Sequence, residues 1–127
     1  MVFLDTNTVL RCILQDDQGA AALVDAQMAR DECLILPEVV AEIVYVLLKI
    51  YHLDRKEITR SVSTLLRHKN VRVPYKRVVE TALRHFGETK FDFVDCLMIG
   101  YSLVEGHQVF TFDKKLAKKL SLLQPEL

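Results

Sequence analysis

The chain opens with a short apolar run, Val2-Phe3-Leu4, that stops at a carboxylate, Asp5. Such a run reads as a buried strand. Thr6 or Asn7 is placed to cap a first helix, which carries Val9, Leu10, Ile13 and Leu14 at helical spacing. After the polar break Gln15-Asp16-Asp17-Gln18-Gly19, a second helix is expected from Ala20 to Ala29. Cys33-Leu34-Ile35-Leu36 is the next strand, and Pro37 suits the first turn of a helix from Glu38 to Tyr51. Asp54 can cap a further helix through Arg67, with Ile58, Val62, Leu65 and Leu66 as its inward stripe. Val71-Arg72-Val73 reads as a strand stopped by Pro74, and Tyr75 to Phe86 as a helix ending before Gly87. Phe91 to Glu105 is a strongly apolar helix closed by Gly106. Gln108 to Phe112 is expected to form the last strand, and Asp113 to Leu120 a final short helix.

Strands alternating with helices predict the α/β class, with a central parallel sheet of four or five short strands flanked by helices on both faces. No repeat, low-complexity tract or linker interrupts the pattern, so residues 1–127 are expected to be a single domain. The longest apolar stretches, roughly ten residues and containing a charge, are too short to span a bilayer. Asp5 breaks the N-terminal apolar run before it can act as a secretory leader, so a cytoplasmic location is the default expectation.

Cys12, Cys33 and Cys96 lie far apart with no CxxC spacing, which argues against a disulfide framework or structural zinc and for apolar core roles. His52, His68, His85 and His107 are equally solitary, so a zinc hydrolase is not expected. The formal net charge of zero hides an uneven distribution. Residues 1–48 hold 2 basic and 8 acidic side chains, residues 49–90 hold 11 and 4, and residues 91–127 hold 4 and 5. A basic middle can attract a phosphate backbone, although amphipathic helices also show solvent a Lys/Arg face.

The chemistry lies in where certain carboxylates fall. Glu42 is the only charged residue between Val39 and Leu48, and Asp95 the only one between Phe93 and Val104. Asp5 follows one apolar strand, and Asp113 follows Val109-Phe110-Thr111-Phe112. All four are therefore expected to be embedded in buried segments. A buried lone carboxylate costs about several kcal/mol and needs a partner. Convergence on one divalent cation would satisfy all four, and an all-oxygen ligand set selects magnesium or manganese. Each acid also has a plainer reading: Asp5 as a helix cap, Asp113 as a turn residue, Asp95 as a first-turn acid favoured by the helix dipole. Glu42 in mid-helix is hardest to explain that way. Asp92 shares a helix face with Asp95 and is expected to be a helix cap or an outer partner of the ligands. Asn7 and Thr111 are short polar neighbours able to hydrogen-bond a ligand carboxylate or a metal-bound water, or to cap.

Phe3-Leu4-Asp5-Thr6-Asn7, the lone Glu42, the run from Asp92 through Asp95 to Ile99, and Val109-Phe110-Thr111-Phe112-Asp113-Lys114 resemble the four signatures of PIN domains, in the family's order. The short form with its "TFD" ending most resembles the VapC-type toxins of prokaryotic toxin–antitoxin pairs. The resemblance implies helices around a parallel sheet, magnesium- or manganese-dependent cleavage of RNA, and frequent homodimers. It also implies a cognate antitoxin that blocks the acidic site with a peptide. Carried over by position, Asp5, Glu42, Asp95 and Asp113 match the family's acidic quartet. Arg11, Lys49, Arg55, Arg60, Lys90 and Lys114 are candidate RNA-phosphate contacts.

Two other classes fit less well. A phosphatase or receiver domain would use Asp5 as a phosphoryl acceptor, but the second acid such phosphatases need two residues on is Asn7 here. A catalytically inactive module binding RNA or protein would have no need of four such acids.

Overall fold

Three parallel strands, β1 (Val2–Phe3), β2 (Cys33–Leu34) and β3 (Val71–Arg72), form a sheet in that order in the computed structural model, which describes residues 1–123. Each strand is two residues long, and the ladder is extended by flanking backbone. Val2 donates to the Glu32 carbonyl and Leu4 to Leu34, both at 2.9 Å, while Cys33 donates to Asn70 at 2.7 Å and Ile35 to Arg72 at 2.9 Å. Parallel neighbours require long crossovers. Here α1 (Thr6–Leu14) and α2 (Gln18–Arg30) link β1 to β2, and α3 (Pro37–Lys49) and α4 (Arg55–Leu66) link β2 to β3.

Local chemistry sets these boundaries. Asp17 accepts the Ala20 N–H at 3.0 Å and Asp54 the Glu57 N–H at 2.7 Å, so each satisfies an orphan donor of its helix. Pro37 occupies the start of α3, where its missing N–H costs nothing. The inward stripe of α3 is Val40, Ile43, Val44 and Leu47, all essentially buried, and α4 buries Ile58, Val62, Leu65 and Leu66 as its spacing predicted. Beyond α3 the chain turns through His52, whose φ of 56° is left-handed. There Tyr51 donates to the Val46 carbonyl at 3.2 Å and Leu53 to Leu47 at 3.0 Å, closing the helix end.

The described residues fall into two compact units, Met1–Pro74, which holds the sheet, and the remainder from Tyr75. In the second unit α5 (Lys76–Glu88), α6 (Phe93–Glu105) and α7 (Lys114–Leu122) pack together. Val79, Leu83 and Phe86 of α5 are buried with Cys96 and Ile99 of α6, and the Phe86 and Phe93 rings meet edge to face at 6.0 Å. Leu116 of α7 joins Ile99 and Leu103 in a small apolar cluster.

Two expectations are corrected. Gly87 does not end its helix: α5 runs through it to Glu88, its apolar face already committed to the core. Residues 108–112 form no strand, so the sheet among the described residues has three strands rather than four or five. Val109-Phe110-Thr111-Phe112 has strand-like composition, but a strand exists only through its ladder, and among the described residues this segment is part of none. Phe110 and Phe112 are about nine-tenths exposed and meet each other edge to face at 5.4 Å.

Candidate active site

In the first unit, the chain leaves β1 through buried Leu4 and reaches Asp5 in an extended conformation, φ −84° and ψ 175°. Asp5, not Thr6 or Asn7, caps α1: its Oδ1 accepts the Thr8 N–H at 2.9 Å. Hydrogen bonds from the Thr8 backbone and hydroxyl hold the Asp5 carboxyl below the usual aspartate range. Thr6 and Asn7 follow in the first turn of α1, and α1 packs on α3. Because α3 turns Ile43 and Val44 inward, Glu42 stands on its outer stripe with Val46 and Lys49. The result is a cleft of about 420 Å³ lined by Asp5, Thr6, Asn7 and Glu42 on its polar side and Leu10, Val46, Ile50 and Tyr51 on its apolar side.

In the second unit, Asp92 occupies the N-cap position of α6, yet its exposed side chain makes no capping bond. Asp95 lies in the first turn, half-buried. Burial, then the neighbouring charges of Asp92 and Asp113, push its carboxyl above the usual range. Asp113 caps α7 by accepting the Leu116 N–H at 2.9 Å. Thr111 accepts the Asp113 N–H at 3.0 Å, so its hydroxyl orders the backbone that carries this acid.

The expected burial of the four acids is overturned. Asp5, Glu42 and Asp113 are exposed and Asp95 only partly covered. Their apolar neighbours are buried, but helical periodicity turns residues one or two apart onto different faces. Asp5, Glu42 and Asp113 therefore carry no burial cost that a cation must offset, and only Asp95 carries part of one. Their significance is grouping: Asp5 with Glu42 in one unit, Asp92, Asp95 and Asp113 in the other.

Among the basic candidates, Arg11 is engaged with Asp16 at 3.4 Å. Lys49 ends α3, Lys114 opens α7, and both, like Lys90, are exposed. Arg60 lines a separate cleft of about 790 Å³ with Cys12, Asp25 and Arg67. Leu10, Val46, Ile50 and Tyr51 have no site role in the sequence reading, and Thr6 figures there only as a capping candidate and within the opening signature. Val46 and Ile50 were within reach of it, since they stand one and two turns beyond Glu42 on the same stripe.

Among the described residues, no group of three or more His, Cys, Asp or Glu side chains is spaced to hold a metal ion. The donor chemistry of the cleft is nonetheless that of a hard cation. Its polar side offers oxygen from two carboxylates, a hydroxyl and an amide. Magnesium keeps several of its waters and commonly takes only one or two carboxylates, so Asp5 and Glu42 fit a water-rich ion of that kind.

A parallel α/β sheet with carboxylates gathered at a strand end and on an adjoining helix defines a class of protein with an acidic site. The PIN domain family matches residues 2–120, and the chain belongs to that family. PIN domains are typically metal-dependent nucleases. No curated protein and no solved structure matches the chain. Among the described residues, no helix is long and apolar enough to cross a membrane.

Proposed function

We propose that this protein is a magnesium- or manganese-dependent endoribonuclease, the toxin of a VapC-type toxin–antitoxin pair. The observation that carries the reading is the pairing of Asp5 and Glu42 across one oxygen-lined cleft in a chain of the PIN family. In this reading Asp5 and Glu42 would hold the ion, and the sequence resemblance adds Asp95 and Asp113 as the other acids that would serve it. When bound, the ion supplies charge stabilisation at the phosphate and a more acidic water.

The chain's own residues do the remaining work. Asp5 has one oxygen engaged by the Thr8 N–H, which fixes the carboxylate's orientation. Asn7 and Thr6 can hydrogen-bond a water in the cleft, and Thr111 orders the approach to Asp113. Lys49, Lys90 and Lys114 are exposed cations able to meet RNA phosphates. The same reading carries a cognate antitoxin that covers the acidic residues, and a homodimeric assembly.

Induced expression followed by sequencing of RNA 5′ ends tests it. Wild type should produce discrete new ends, and purified protein should cleave the same RNA only with magnesium or manganese. Asp5→Asn keeps a capping oxygen at the start of α1 while removing the charge. If that variant cleaves as well as wild type, the reading is wrong.

A further inference from the structure

The cleft that holds Asp5 and Glu42 is half apolar, and an ion with its waters uses none of that half. Leu10, Val46, Ile50 and Tyr51 line it. Two of them remain unusually open: Ile50 is 62% and Tyr51 45% exposed. The backbone that carries Tyr51 is also tied down. Its N–H is tied to the Val46 carbonyl, and the next residue, His52, takes a left-handed conformation that returns the chain so that Leu53 bonds to Leu47. An accessible aromatic ring thus lines the same cleft as the Asp5 and Glu42 carboxylates. Lys49, an exposed cation with no ion pair among the described residues, immediately precedes Ile50.

A ligand that fills both halves has an anionic part that reaches the carboxylates through a cation and a flat apolar part beside it. A nucleotide within a single strand has that form: phosphate on one side, a base with an exposed π-face on the other. A paired base would have its faces occupied by its neighbours in the stack. We propose that Tyr51, backed by Ile50, is a stacking platform for one unpaired nucleobase of the RNA, and that it positions the adjacent phosphate at Asp5 and Glu42. Tyr51 acts as a positioning residue, because it holds the strand and touches no reacting atom. The inference rests on the ribonuclease reading for the identity of the strand, but not for the existence of a base site.

The chain contains no tryptophan, so Tyr51→Trp installs a single fluorescent reporter at this position. In an Asp5→Asn background, with magnesium present, a short oligouridylate should quench the emission. A ribose-phosphate oligomer of equal length without bases should leave it unchanged. Equal quenching by both, or by neither, overturns the proposal, as does quenching that depends on protein concentration alone, which would mean that a second copy covers the ring. Circular dichroism matching wild type confirms that the reporter variant is folded. With intact Asp5, Tyr51→Ala should raise KM for RNA cleavage about tenfold with kcat within about twofold, and Tyr51→Phe should rescue it. A fall in kcat without a KM change overturns the positioning role. If no RNA is cleaved by the wild type while base-dependent quenching persists, the ribonuclease reading fails and the base site stands.

Discussion

A β-carbon placed on Gly100 of α6 would lie 2.6 Å from the backbone carbonyl oxygen of Val78 in α5. The two helices approach so closely there that only glycine fits, since the obstacle is backbone and cannot rotate away. Alanine normally favours a helix over glycine by about 1 kcal/mol. Here Gly100→Ala should instead destabilise by about 1–3 kcal/mol, the usual cost of overpacking a fitted core. Urea denaturation of the two proteins measures it; an unchanged or higher midpoint would show that α5 and α6 can separate without penalty.

Asp5 serves α1 as a cap and the cleft as a carboxylate, and two substitutions separate these duties. Asp5→Ala should lose about 1 kcal/mol of stability at pH 7, while Asp5→Asn, itself a good cap, should lose much less. The folded Asp5 carboxyl lies below its ordinary value, so its contribution is present above pH 3.8 and is lost as pH falls through the lowered value. The gap between wild type and Asp5→Ala should therefore narrow in acid. Denaturant melts from pH 7 to pH 3 follow it.

Asp95 behaves in the opposite sense. Its carboxyl is raised by burial and by the charges of Asp92 and Asp113, so the fold favours the protonated form. That contribution is present below pH 3.8 and is lost as pH rises through the raised value. In metal-free buffer at pH 7, Asp95→Asn should raise Tm, and the advantage should vanish below about pH 3.8. A lower Tm at neutral pH would mean that the side chain accepts hydrogen bonds that asparagine cannot replace.

Chelation addresses the chemistry directly. EDTA should abolish RNA cleavage and added magnesium or manganese should restore it. Glu42→Gln should lower kcat about a hundredfold or more, since each factor of ten is about 1.4 kcal/mol of barrier and a metal's charge stabilisation is worth several. The Tm of Glu42→Gln should stay near wild type, because Glu42 is exposed and caps nothing. Cleavage that survives EDTA would remove the divalent ion from the mechanism.

Much of this architecture was legible in the sequence because local signals agreed with one another. Asp54 and Pro37 mark helix starts, Gly106 marks an end in the left-handed conformation at φ 74°, and the stripe of α4 is buried as its spacing requires. Asp5 was harder to read as the cap of α1, because Thr6 and Asn7 are equally good capping residues and only the backbone decides among them. The exposure of Glu42 was hidden for a related reason. An apolar run shows that a helix is buried somewhere, while the outer stripe becomes visible only when each residue is assigned to a face. Residues 108–112 mislead because strand composition describes a side-chain preference, and the ladder that makes a strand is supplied from elsewhere in the chain. Tyr51 follows the last turn of α3, where periodicity no longer predicts direction.

The brevity of the three strands has a consequence for amide hydrogen exchange. A ladder two residues long cannot protect its own amides for long, yet Cys33 and Ile35 are wholly buried. Their N–H groups, bonded to Asn70 and Arg72, should therefore exchange only when the helices covering that core open. Exchange rates at Cys33 and Ile35 should track those of the inner face of α3, so the sheet reports the opening of its cover and has no separate stability of its own.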